Sequence, residues 1–266
     1  PYQIERDYVK AIENYVKSID YFKQSSDPAA AFYLIENIIN LYQNEGDHKK
    51  AKEYAQELIT LSKYEKDNNQ ILLINALGHY HLSKSYNELG IKDSMFYFAN
   101  KAIENIQQLD NIEATNDLYT VCDIYFYQLD LLVEKKDNSA ATALLEKVKS
   151  ICNSSIVSEF SIDLADYYLK VKNYEQVGKI LKNISVTNFT TTDKHKLLKI
   201  QGRYQEAIGN YQEAFAIQKE LLKIEREKAQ KSKKDYVAFA DARLAASKQE
   251  EAINSLKLKG EAEILK

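Results

Sequence analysis

Tryptophan is absent from the 266 residues, and only 2 prolines, 7 glycines and 1 methionine occur. Turns, bulges and phosphate-cradling loops draw on Gly and Pro, so this scarcity disfavours an all-β or nucleotide-binding fold. The 2 cysteines, Cys122 and Cys152, are too few for a disulfide framework or a zinc site. No apolar run reaches the roughly 18 residues of a membrane-spanning helix. Basic and acidic residues balance at 36 and 39, for a net charge of −3. A nucleic-acid footprint needs a basic surplus on one face, so no direct nucleic-acid contact is expected. No GxGxxG, Walker loop or HExxH motif occurs.

The histidines fit no metal site either. His79 and His81 are two apart on a helix and point to different sides. His48 falls at a turn and His195 at a helix start. Nucleophilic catalysis needs a base held beside a Ser or Cys, and no such pair stands out. The chain is therefore expected to be no enzyme, with neither cofactor nor metal.

What the chain does have is apolar content, at 45%, and 20 tyrosines. Tyr can put its ring in a core and its hydroxyl at a wet edge, which suits a stack of thin helical layers. The stretches "GNYQEAFAIQKEL" and "GIKDSMFYFANKAI" share one layout: a Gly, then a small or medium apolar residue five places on. Aligned on that residue, the registers fall at Ala11, Ala51, Met95, Ala141, Val177 and Ala214. All but the first come after a turn point: Gly46-Asp47, Gly90, Lys136-Asp137, Lys172-Asn173 and Gly209-Asn210. The first lies in "DYVKAIENYVKSI", which begins too late to show its turn.

Apolar residues recur at three- and four-residue spacing on both sides of each turn. Ala51, Leu58 and Leu61 come after one turn, and Phe32, Ile35, Ile39 and Tyr42 precede it. The unit is thus helix A, tight turn, helix B. One hairpin cannot bury both of its stripes, but hairpins stacked side by side can, which predicts an α-solenoid with one continuous core. The small residue lets the paired helices approach, so Ala51, Ala102, Ala141 and Ala214 are expected between helices. The segments "NSSIVSEF" and "SVTNFTTTDKH" read as loops between repeats.

The unit resembles the tetratricopeptide repeat. Gly46, Asp47, Ala51 and Tyr42 match in one repeat; Gly90, Tyr86 and Ala102 in the next; Tyr168, Asn173 and Tyr174 in another; Gly202, Gly209, Tyr211 and Ala214 in the last. The repeats are degenerate: the family's Trp and closing Pro are missing, and the registers are further apart than the usual ~34 residues. The resemblance implies an all-α solenoid over 1–222, of five to six repeats with the first partial, and then a long charged helix over 223–266. It also implies a groove for a peptide or protein lined by helix A. The family's groove positions fall on Tyr33, Glu36 and Asn40, on Tyr80, Lys84 and Asn87, on Phe126 and Asp130, on Ile162 and Asp166, and on Lys199 and Arg203. The alternative for this set is ordinary solvated surface. Asn40 matches one position of the family's clamp for a C-terminal carboxylate, but Glu36 stands where that clamp has Lys and would repel the ligand.

The tail, "KELLKIEREKAQKSKKDY" and onward, is rich in helix formers, with sparse apolar residues at Val237, Ala240, Leu244, Ile253 and Leu256. It reads as a capping helix or a weak coiled coil, expected to pair with a second copy or to fold back on a neighbour. Tyr-rich repeats leading into a charged helix resemble the sensor region of Bacteroidetes membrane-anchored transcriptional regulators or histidine kinases. That likeness implies a ligand-sensing, dimerising region in the periplasm, held at the inner membrane only through flanking segments. The chain opens on Pro1 and reads as a trimmed piece. The alternatives are a soluble scaffold and a cytoplasmic receptor for peptide pheromones. Cys122 and Cys152 read as two separate half-buried thiols. A disulfide is the competing reading, since the start of helix A and the end of helix B in one antiparallel hairpin are neighbours.

Overall fold

The structure, a computed structural model, describes residues 29–110, 118–152, 157–184 and 189–227. The described residues are helical, with no strand among them. The helices are α1 (Ala29–Asn44), α2 (His48–Leu61), α3 (Asn68–Glu88), α4 (Lys92–Ile106), α5 (Leu118–Glu134), α6 (Asn138–Ile151), α7 (Val157–Lys170), α8 (Tyr174–Asn183) and α9 (Thr191–Ala207). A further helix, α10, covers 211–227. The register at Ala11 and the tail beyond Glu227 lie outside the described residues. At the expected boundary between repeats and tail, α10 runs through residue 222 without a break.

Five hairpin turns share one geometry. Gly46, Gly90 and Gly209 have φ of 78°, 73° and 81°, and Lys136 and Lys172 take the same left-handed conformation at 60° and 61°. In each, the next residue's N–H closes onto a carbonyl five residues back, as Asp47 does to Tyr42 at 2.9 Å and Asn173 to Tyr168 at 2.8 Å. These bonds satisfy carbonyls that the ending helix leaves open. Asp47, Asp137 and Asn173 then cap the next helix, each side chain accepting a backbone N–H three residues on.

Ala51, Met95, Ala102, Ala141 and Val177 are buried between helices, as their register predicts. Ala214 is only half-buried; in the last hairpin Ile217 and Leu221 make the close contact instead. Two expected loops are shorter than the sequence suggested. Val157 already belongs to α7. Thr190 and Asp193 form a capping box that starts α9 inside "SVTNFTTTDKH".

Every A helix packs on the next one, α1 on α3, α3 on α5, α5 on α7 and α7 on α9, while α2, α4, α6 and α8 show no comparable contact with each other. The A helices thus make one continuous layer, whose open side corresponds to the inner face that the repeat resemblance implies. The described residues form an all-α array of stacked hairpins, an arrangement compatible with a solenoid.

The two cysteines are not free thiols. Cys122 and Cys152 form a disulfide with Cα atoms 6.1 Å apart, joining the second turn of α5 to the residue just past α6. Antiparallel pairing brings those ends together, so the competing reading holds and the separate-thiol reading is corrected.

Candidate functional site

Three consecutive A helices place charged residues on the inner face at i, i+3 or i+7 spacing. They are Asp123 and Asp130 on α5; Asp163, Asp166 and Lys170 on α7; and Lys196, Lys199 and Arg203 on α9. Residues so spaced share one side of a helix, and stacking sets the three rows side by side. Lys170 Nζ bridges Asp130 and Asp166, each at 2.6 Å. Arg203 Nη1 reaches Asp166 at 2.9 Å. Lys199 lies 3.7 Å from Glu225 of α10. A ladder of ion pairs thus crosses α5, α7, α9 and α10.

Further along the same face, Tyr80 of α3 donates its hydroxyl to Asp123 at 3.1 Å. Lys84 lies over the Tyr80 ring, its Nζ 4.9 Å from the centroid. Burial pushes the Lys84 ammonium down, while Asp123 pulls it back up. Asp163 sits between these groups with no hydrogen bond or ion pair among the described residues. Burial is the main reason its carboxyl is pushed up to about 7; Lys196 opposes the shift, and Asp123, Asp130 and Asp166 add to it.

At the other end of the stack, Tyr33 and Glu36 of α1 rim a small pocket. Its floor is Phe32, Leu73, Ile74 and Leu77, and Gln70 and Thr120 close its sides. Tyr33 is 58% exposed. The arrangement suits an apolar group with a polar neighbour. Among the described residues, no three His, Cys, Asp or Glu side chains converge as metal ligands.

No family model matches the chain. No curated protein matches it either. A crystal structure of BtubC (BKLC) from P. vanneervenii has a similar fold, at a TM-score of 0.59 and 17% identity over 83% of this chain and 91% of that one.

The expected groove residues divide. Tyr33, Glu36, Asn40, Lys84, Asp130, Asp166, Lys199 and Arg203 all keep some access to solvent. Asn87 is exposed, at the end of α3, where its carbonyl accepts the Gly90 N–H of the turn. Tyr80, Phe126 and Ile162 are corrected: they are 7%, 8% and 1% exposed and belong to the packed layer between helices. Phe126 stacks on Phe160 of α7 at 5.7 Å rather than facing a ligand. Asp123, Asp163, Lys170 and Lys196 were missed, although each lies three, four or seven residues from a residue that was named. No helix among the described residues is long and apolar enough to cross a membrane.

Proposed function

We propose that this chain is a non-catalytic, tetratricopeptide-type binding module. In this reading it is the ligand-sensing and dimerisation region of a bacterial membrane-anchored regulator that controls transcription. The observation that carries the binding half is the inner face. A pocket at Tyr33 and Glu36 and an ion-pair ladder from Asp130 to Arg203 lie along the stacked A helices, as an extended peptide would need. Concave solenoid faces are commonly binding faces.

The disulfide supports the periplasmic half. Such bonds persist in oxidising compartments and are rare in the cytosol, so the bonded pair speaks against the cytoplasmic pheromone receptor. It leaves an extracytoplasmic scaffold as the second reading, in which the groove binds but drives no output.

The test is an array of extended peptides bearing one apolar residue beside charged ones, probed with the chain and with Tyr33→Ala and Arg203→Glu variants. Both side chains are more than half exposed, so the fold should tolerate the changes. Binding should weaken on the order of tenfold for each, with melting unchanged. Peptides that bind the variants as well as the parent would sink the groove reading.

A further inference from the structure

We propose that the inner face takes a lysine side chain from its ligand, with the ammonium seated between Asp123 of α5 and Asp163 of α7. This names the chemistry that the proposed groove selects, and it rests on that reading.

The chain carries its own template for such a seat. Lys170 holds one ammonium between a carboxylate of α5 and a carboxylate of α7, with Asp130 and Asp166 each 2.6 Å away. Arg203 of α9 completes that row by reaching Asp166 at 2.9 Å. Seven residues earlier on each helix lies a second row, about 10.5 Å along the same faces. There Asp123 stands for Asp130, and Lys196 stands for Arg203. At the place of Lys170, however, the second row has Asp163. The bridging cation of the first row is thus replaced by an anion. Asp123 acts on the Asp163 carboxyl more strongly than Asp130 or Asp166 does, and both Asp123 and Asp163 act on the Tyr80 hydroxyl. Two carboxylates and one hydroxyl therefore surround one spot.

The chain's own cations stand back from that spot. Asp123 acts on Lys84, and Lys196 acts on Asp163, through space. Among the described residues, neither lysine forms an ion pair with Asp123 or Asp163. Lys84 is held at Tyr80, with its Nζ 3.4 Å from the hydroxyl and over the ring. Lys196 is exposed, and the two ammoniums repel each other, which disfavours bringing both in. The Tyr80 hydroxyl is committed to Asp123. Asp163 is half-buried, so a side chain lying along the groove can reach it. A carboxyl drawn out of water without a partner keeps its proton, and a cation beside it restores the charge. Lys170 opposes the effect of burial on Asp130 in this way, and a ligand ammonium would do the same for Asp163.

The test follows the Asp163 carboxyl by carbon NMR in the full chain, with Asp163→Asn to assign its signal. The probe is Nα-acetyl-lysine methylamide, and its Nε-acetylated form is the uncharged control. Without probe the carboxyl titrates at about 7. Saturating probe should lower that by about one pH unit or more, and the control should leave it in place. A lysine peptide from the array should bind up to about tenfold more tightly per unit between pH 5 and 7, because its ammonium displaces the proton. Asp163→Asn should abolish that dependence and weaken binding at pH 8 on the order of tenfold. Lys196→Gln should strengthen binding by removing a competing cation. An Asp163 titration that ignores the probe overturns the proposal. So does a probe effect that survives Asp123→Asn unchanged, since the seat needs both carboxylates. If the probe shifts Asp163 but no peptide binds, the seat stands and the groove reading falls. Lysine-free peptides that bind through Tyr33 while lysine leaves Asp163 unmoved keep the groove and sink the seat.

Discussion

Burial raises the Asp163 carboxyl to about 7 and drives the His81 imidazole down to about 3. Both His81 ring nitrogens are buried without a hydrogen-bond partner. The two groups act on stability with opposite signs. Between pH about 4 and 7 folded Asp163 holds a proton that the unfolded chain has released, so its contribution falls as pH rises. Between pH about 6.5 and 3 the unfolded chain protonates its histidine while folded His81 stays neutral, so that contribution falls as pH drops. In the shared window from about pH 4 to 6.5 the slopes oppose each other. Asp163→Asn should therefore expose the His81 slope, with stability rising with pH relative to the parent by up to about 1.4 kcal/mol per unit. His81→Leu should expose the reverse. Denaturant titrations at pH 4, 5, 6 and 7 measure both; parallel curves for parent and variants would refute the assignment. Neither shift was legible in the sequence. Asp163 reads as a surface residue of α7 until α5 and α9 are stacked beside it, and His81 is separated from solvent only by the packing of α3.

At the scale of the hairpin, the turns were the most legible part of the chain. Gly-Asp and Gly-Asn pairs name their own conformation, because Gly tolerates the left-handed region and Asn or Asp caps the helix after it. The Lys136 and Lys172 turns were found only through the repeat, since Lys has no preference for φ near 60°. Because of that mismatch, Lys136→Gly, and separately Lys172→Gly, should stabilise the chain by about 0.5–1 kcal/mol by removing the Cβ penalty of the left-handed conformation. Gly46→Ala should cost about as much, although no atom lies within 4 Å of the added Cβ. Thermal melts of the three variants decide it: a destabilised Lys136→Gly would mean that the lysine side chain contributes more than its backbone costs. Helix starts were less legible. Thr190 and Asp193 spelled a capping box, but the Thr-rich run around them has the composition of a loop. The A-helix register was offset for the same kind of reason. Family spacing put Tyr80, Phe126 and Ile162 on the groove, whereas each turns into the seam between neighbouring A helices.

On the scale of the whole stack, contacts run between hairpins that are adjacent in the chain, so stability should be distributed along it rather than held in one place. The Cys122–Cys152 bond is the exception that makes this testable. It closes a sequence separation of 30 within the α5–α6 hairpin. A loop of that length is worth about 3.6 kcal/mol in the chain-entropy account. Its existence was not legible from residue types alone, because the pairing depends on how α5 and α6 lie against each other. Reduction should lower the melting temperature, and amide exchange should show where the loss falls. In a nearest-neighbour stack, α5 and α6 should open faster on reduction. Their neighbours α4 and α7 should respond weakly, and α1 and α2 should hardly change. Uniform acceleration from α1 to α10 would show one cooperative unit instead, and no acceleration anywhere would show that the bond constrains nothing the packing has not already fixed. The same measurement bears on where the chain works. A hairpin that loosens without its disulfide fits a compartment that keeps the bond formed, and one that does not loosen gives no such preference.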